Sequence, residues 1–278
     1  MKKYFYLFAV ICSMAMFTAC SSDDDEPAPE PTPGEVMPEI LGTWNLAPVE
    51  TEDDGWGGQA IVGGPVVLDW QCAEGTILNI PLSADFNMPL DVNTQLAPLA
   101  ENLANGYLPK LLQSVTFEAN GDITAIHGEA GNMDDSDEAP APVWKKAEGY
   151  AHWVPATTRM SLNKENLIMV YLDSEKILST EGDAEDKIAL SAILNMFKDG
   201  IPVHIRWNAD RTGAFFYVDK DYIAPMLTGL SDFASKLPTD GMDEDDLATV
   251  AILKGILGQI PDIMSKTQKF EAGLQLVK

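Results

Sequence analysis

The sequence predicts an α+β fold, in which antiparallel strands are packed by amphipathic helices. Three features point to it. Alternating apolar runs closed by turn residues recur along the chain, most clearly from Val115 to Ile126 around Asn120-Gly121. Apolar residues at helical spacing fill other stretches, as at Ile188, Leu190, Ile193, Leu194 and Phe197. The C-terminal third is mostly helical and closes on a strand pattern from Phe270 to Val277.

The folded part is expected to span residues 38–278 and to open on a strand at Ile40–Leu46. Residues 51–65 are glycine-rich and acidic and read as a mobile loop carrying Trp56. Strands follow at Pro65–Trp70 and Ile77–Leu82. Leu96, Leu99 and Leu103 share a helical face, read as core, that Asn105-Gly106 interrupts; Leu108, Leu111 and Leu112 continue it beyond. A second hairpin fits Thr158–Leu172, turning at 163–166, and a helix fits Asp186–Lys198 with Gly200 as its stop.

A third hairpin joins Ile201–Asn208 to Ala214–Val218. Its turn partly mimics a calcium loop, but strands flank it where helices are needed. Ile223 to Phe233 forms a helix with Pro225 in its first turn. Asp243 to Asp246 begins another, which runs to Pro261 with acids at the favourable end of the helix dipole. Helix, strand, turn and strand occur in that order at 94–126 and again at 186–218. That order admits two related units dividing near 175–186.

Composition restricts the partners. With 43 acidic and 18 basic residues the chain carries −25. It lacks the clustered cations that nucleic acid or an anionic lipid surface demands. Cys12, Cys20 and Cys72 are its three cysteines. Cys72 has no His, Lys or Arg near it in sequence and reads as a buried structural thiol.

Residues 1–19 have the layout of a signal peptide: Lys2-Lys3, an apolar run from Tyr4 to Phe17, then Thr18-Ala19 before Cys20. The run is too short to span a bilayer comfortably. Thr18-Ala19-Cys20 resembles the lipobox of bacterial lipoproteins, with Phe17 where Leu is commonest. The resemblance implies cleavage before Cys20 and acylation of that residue. Loss of Lys2 and Lys3 then takes the charge from −25 to −27.

The following residues, Ser21, Ser22, Asp23, Asp24, Asp25 and Glu26, resemble the acidic export signal of surface-exposed lipoproteins of Bacteroidetes, some of which carry a domain of unknown function. This implies an outer-membrane protein anchored through lipid on Cys20 and facing the cell exterior, with the periplasmic face as the alternative. Residues 20–37 form an acidic, proline-rich tether, whose sixteen residues from 21 to 36 reach about 50 Å in extended form.

Gly42-Thr43-Trp44 is similar to the Gly-x-Trp that opens lipocalin-like proteins, where the Trp closes the barrel floor. That resemblance implies an alternative fold, a lipocalin-like β-barrel with added helices.

No catalytic motif is present. His127, His152 and His204 are far apart, and neither a His-Glu-x-x-His nor a Gly-x-Ser-x-Gly occurs. No catalytic residue, metal ligand or cofactor is assigned, and protein partners are left open. The leading function is a non-enzymatic binding or accessory protein for a glycan or an apolar small molecule, with Trp56 and Trp44 as candidate ligand contacts. The alternatives are a polymer hydrolase using a carboxylate pair and a cell-surface assembly subunit.

Overall fold

The computed structural model describes residues 32–55, 58–83, 86–129, 141–156, 166–180, 184–235 and 244–278. The antiparallel sheet closes on itself. Eight strands form an up-and-down barrel: β1 (Gly42–Leu46), β7 (Leu112–Phe117), β8 (Asp122–Gly128), β9 (Trp144–Pro155), β10 (Leu167–Leu172), β11 (Ile201–Trp207), β12 (Gly213–Asp219) and β13 (Thr267–Val277). β1 then pairs with β13, Asn45 opposite Val277 and Leu46 opposite Leu276. This closed barrel with added helices fits the alternative fold; of the α+β expectation the antiparallel strands and the helices stand, but the sheet they form is closed.

β13 is longer than its partner β1, and its outer edge is divided. Thr267–Leu274 pairs with a ninth strand, β4 (Val66–Cys72), while Leu276–Val277 pairs with β1. Gln275 is the point of exchange: its N–H donates to Pro65 O at 2.6 Å, and its carbonyl accepts from Ala47 N at 3.0 Å. Gly273 lies just before it. A Cβ there would stand 1.9 Å from Phe216 O, so only glycine lets β12 approach.

The insertion between β1 and β7 carries two hairpins beside β4. These are β2 (Glu50–Asp53) with β3 (Gln59–Gly63), and β5 (Ile77–Ser83) with β6 (Phe86–Asp91). The stretch expected as a mobile loop is thus largely the first hairpin. Every residue of β2 is exposed, so no apolar alternation marks it. The division considered near 175–186 falls inside one closed sheet, because β10 and β11 pair across it.

Helix boundaries also moved. The fold is entered at Pro33, not Pro38, through the short helix α1 (Pro33–Val36). Gly34 N donates to Ala119 O at 3.0 Å, and Met37 is buried. A π turn (Val92–Leu96) leads into α2 (Ala97–Leu111), which runs unbroken through Asn105-Gly106. α3 (Ser174–Ser179) and α4 (Ala184–Leu194) link β10 to β11. α5 (Lys220–Ser235), α6 (Glu244–Leu257) and α7 (Ile260–Lys266) link β12 to β13. Pro225 lies in the second turn of α5, and Pro261 starts α7 where it was expected to end a helix.

The barrel interior is filled by rings. Trp44 meets Phe216 edge-on at 5.4 Å, Phe216 stacks on Phe117 at 5.6 Å, and Phe117 meets Trp153 at 6.0 Å. Ile177, Leu190, Ile193, Leu194 and Phe197 of the α3–α4 link join the same core. A separate cluster forms outside the barrel wall, where Trp70 of β4 packs with Leu257, Ile260 and Met264.

Two measurements probe the barrel. Gly273→Ala forces its Cβ into the β12 backbone and is expected to prevent cooperative thermal unfolding, read by circular dichroism. A variant with an unchanged transition would mean that the close approach is not required. The second concerns His152, paired with Asp122 across β8 and β9. Burial pushes its imidazole below the usual 6.5, with the Asp122 charge opposing. The unfolded chain therefore binds the proton first as pH falls through that value, and stability declines there. Urea midpoints at about pH 7.5 and 5.5 are expected to differ less in His152→Gln; an equal difference would remove this group from the account.

Candidate functional site

The outward edge of β4 would carry unpaired backbone groups, and side chains of the neighbouring helical segment take up five of them. Asn105 Oδ1 accepts from Val66 N at 2.7 Å, and its Nδ2 donates to Val66 O at 3.0 Å. Glu101 Oε2 accepts from Leu68 N at 2.9 Å. Asn93 Oδ1 accepts from Cys72 N at 2.7 Å, and its Nδ2 donates to Cys72 O at 3.1 Å. The helix stands in for a further strand and shields an edge otherwise open to pairing.

The geometry works because two periods nearly match. Four helical residues rise about 6 Å, and two strand residues advance about 6.7 Å. Rotation is the difficulty, since each four-residue step in an α-helix passes a full turn by about 40°. The π turn at Val92–Leu96, where Ala97 N donates to Val92 O, turns less per residue and counters that drift. Asn93 thereby stays aimed at the strand.

This arrangement reverses the expected face of α2. Asn105 is 1% exposed, whereas Leu99 and Leu103 are 44% and 52% exposed. An unpaired buried amide costs about 1–3 kcal/mol, comparable to the gain from burying one Leu side chain. Leucine spacing alone therefore did not decide the orientation. The signal that would have found it is Asn93, Glu101 and Asn105 at four- or eight-residue spacing beside a strand.

Between this helix and β4 lies an open cleft of about 740 Å³. Its walls are Ile61 and Val62 of β3, Leu68 to Cys72 of β4, Asn93, Ala97, Pro98, Glu101 and Asn102, and Gln268 of β13. Both carboxylates on the wall have partners. Lys269 bonds Asp69 at 2.5 Å and holds its carboxyl below the usual range, aided by Gln71 at 2.7 Å and opposed by burial. Glu101 is taken up by Leu68 N.

The charged cluster continues onto the outer barrel wall. Lys269 also reaches Glu271 at 3.4 Å, which receives Arg206 at 2.9 and 3.0 Å; the guanidinium lies 4.7 Å over the Tyr217 ring. His204 stacks on Tyr217 and meets Asp219 at 3.1 Å.

Of the candidate ligand contacts, Trp44 is fully buried in the barrel core. Its Nε1 donates to Ile40 O at 2.7 Å, and Lys278 Nζ lies 4.8 Å over its ring. Its ring has no surface left for a ligand. Trp56, Cys20, Ser21 to Glu26 and the acidic stretch 132–138 lie outside the described residues. Cys72 is buried, its Sγ 3.2 Å from Thr267 Oγ1. No described helix is long and apolar enough to cross a membrane. No protein family, curated protein or solved structure matches the chain.

Asn105→Ala removes both bonds to Val66 and leaves its amide unpaired. A loss of about 2–4 kcal/mol is expected by urea denaturation, against changes within about 0.5 kcal/mol for Leu103→Ala. The reverse order would mean that the leucine face is the buried one.

Proposed function

We propose that this chain is a lipid-anchored binding protein of the bacterial outer membrane, facing the cell exterior and taking a glycan in the cleft between α2 and β4. One observation carries the reading: the open concavity lies outside the barrel and sets carboxylates and carboxamides beside apolar residues such as Val62, Trp70 and Pro98, while rings fill the barrel interior. Polar groups of this kind suit hydroxyl-rich ligands, and an apolar molecule in the lumen would have to displace Phe117 and Phe216. The partnered state of Asp69 and Glu101 favours binding over acid–base hydrolysis.

Support for a lipocalin-like relationship comes from the up-and-down order of eight strands and from Trp44, buried on the first strand. The difference is the location of the ligand. Anchoring rests on the signal-like segment and on Cys20. With α1 docked to the barrel, the tether shortens to residues 20–31, roughly 35 Å when extended at about 3.1 Å per residue.

The test is a glycan array probed with the protein and with Asn102→Trp, which places an indole in the cleft mouth. Binding to at least one glycan, lost in the variant, is expected. Silence across the array, or binding indifferent to the substitution, would sink the glycan reading.

A further inference from the structure

The helix offers four positions toward the edge of β4, at Asn93, Ala97, Glu101 and Asn105, and only three carry a polar group. Strand register identifies the residue left over. Pro65 O and Ala73 N both bond toward β13, to Gln275 N and Lys266 O. Odd-numbered residues of β4 therefore turn inward to β13, and Val66, Leu68, Trp70 and Cys72 turn outward. Three of these meet Asn105, Glu101 and Asn93. Trp70 falls to Ala97, whose methyl can neither donate nor accept.

The cleft opens at that place, since Trp70 and Ala97 both line it. No side-chain partner among the described residues stands opposite the Trp70 amide. The indole is engaged elsewhere: its Nε1 donates to Thr267 Oγ1 at 3.0 Å, and its ring packs edge-on to Phe270 at 5.3 Å. What faces the cleft is the backbone N–H and C=O of Trp70, with the C=O of Leu68 beside them, since the Glu101 carboxylate accepts from Leu68 N but has no proton for its carbonyl.

The fold shows twice which group satisfies such a pair. At Val66 and at Cys72 it is a primary carboxamide, its oxygen accepting and its nitrogen donating. We propose that the cleft recognises a primary carboxamide on its ligand, a uronamide sugar being the glycan of that chemistry, and that this group completes the fourth rung between Ala97 and Trp70. This rests on the cleft being the glycan site and adds the chemical group it selects.

Selectivity follows from charge and hydrogen-bond count. A carboxylate in the same position accepts from Trp70 N–H but has no proton for Trp70 C=O. It would also sit among Glu101 and Asp69 on a chain of −25. The lost bond alone is worth about tenfold in affinity, and repulsion adds to it.

The experiment is a titration of the ¹⁵N-labelled protein with D-glucuronamide, D-glucuronate and D-glucose, following the Trp70 backbone amide. Glucuronamide is expected to shift that resonance saturably, with glucuronate and glucose at least about tenfold weaker. Ala97→Asn supplies the fourth carboxamide from the chain itself. It is expected to abolish the response and raise the urea midpoint. In the free protein, the Trp70 amide should exchange with solvent faster than those of Val66 and Leu68.

A Trp70 amide that ignores glucuronamide overturns the proposal without using any variant. So does an Ala97→Asn protein that binds as well as the original. Array glycans that bind with no preference for uronamides overturn this inference alone and leave the glycan reading standing. If no saccharide binds, both fall.

Discussion

The outer edge of β13 is the constraint on which the rest depends. Eight strands close only if β1 bonds to that edge, yet β1 occupies just its last residues. The remainder would expose a row of amides, and β4 fills it. Adding β4 moves the problem outward by one strand, where Asn93, Glu101 and Asn105 meet it. Cleft, helix orientation and the position of Trp70 all follow from how one long strand is shared.

Much of the wall was legible in the sequence because it alternates. The β7–β8 and β11–β12 hairpins, α4 and the strand at Phe270–Val277 all lie close to where periodicity places them. β9 is hidden in the sequence for a local reason. Gly149, at φ +66°, and Tyr150 are extra residues opposite the Ile123–Thr124 step of β8. This bulge breaks the two-residue period in the middle of a twelve-residue strand. Closure itself was offered only through Gly42-Thr43-Trp44, since the pairing of β1 with β13 leaves no local trace.

The cleft was less legible still. Asparagine and glutamate on a helix ordinarily mark its solvated side, and leucines mark its buried one. On α2 the rule inverts because the neighbour is a strand edge needing partners rather than an apolar sheet face. Trp44 stands out by its type, but its ring packs into the barrel core against Phe216. Trp70, equally visible in sequence, matters through its main chain, which no side-chain pattern reveals.

The seam between β1 and β13 also sets a timetable. It joins Asn45 to Val277, about 230 positions apart, and contacts of such separation form late. Hairpins such as β7–β8 can assemble from local segments, but the circle cannot close before residues 267–277 are in place. A chain that emerges N-terminus first would stand for a time as an open sheet with both margins bare. Its vulnerability to proteases and to misassociation is therefore concentrated in the interval before that last strand arrives.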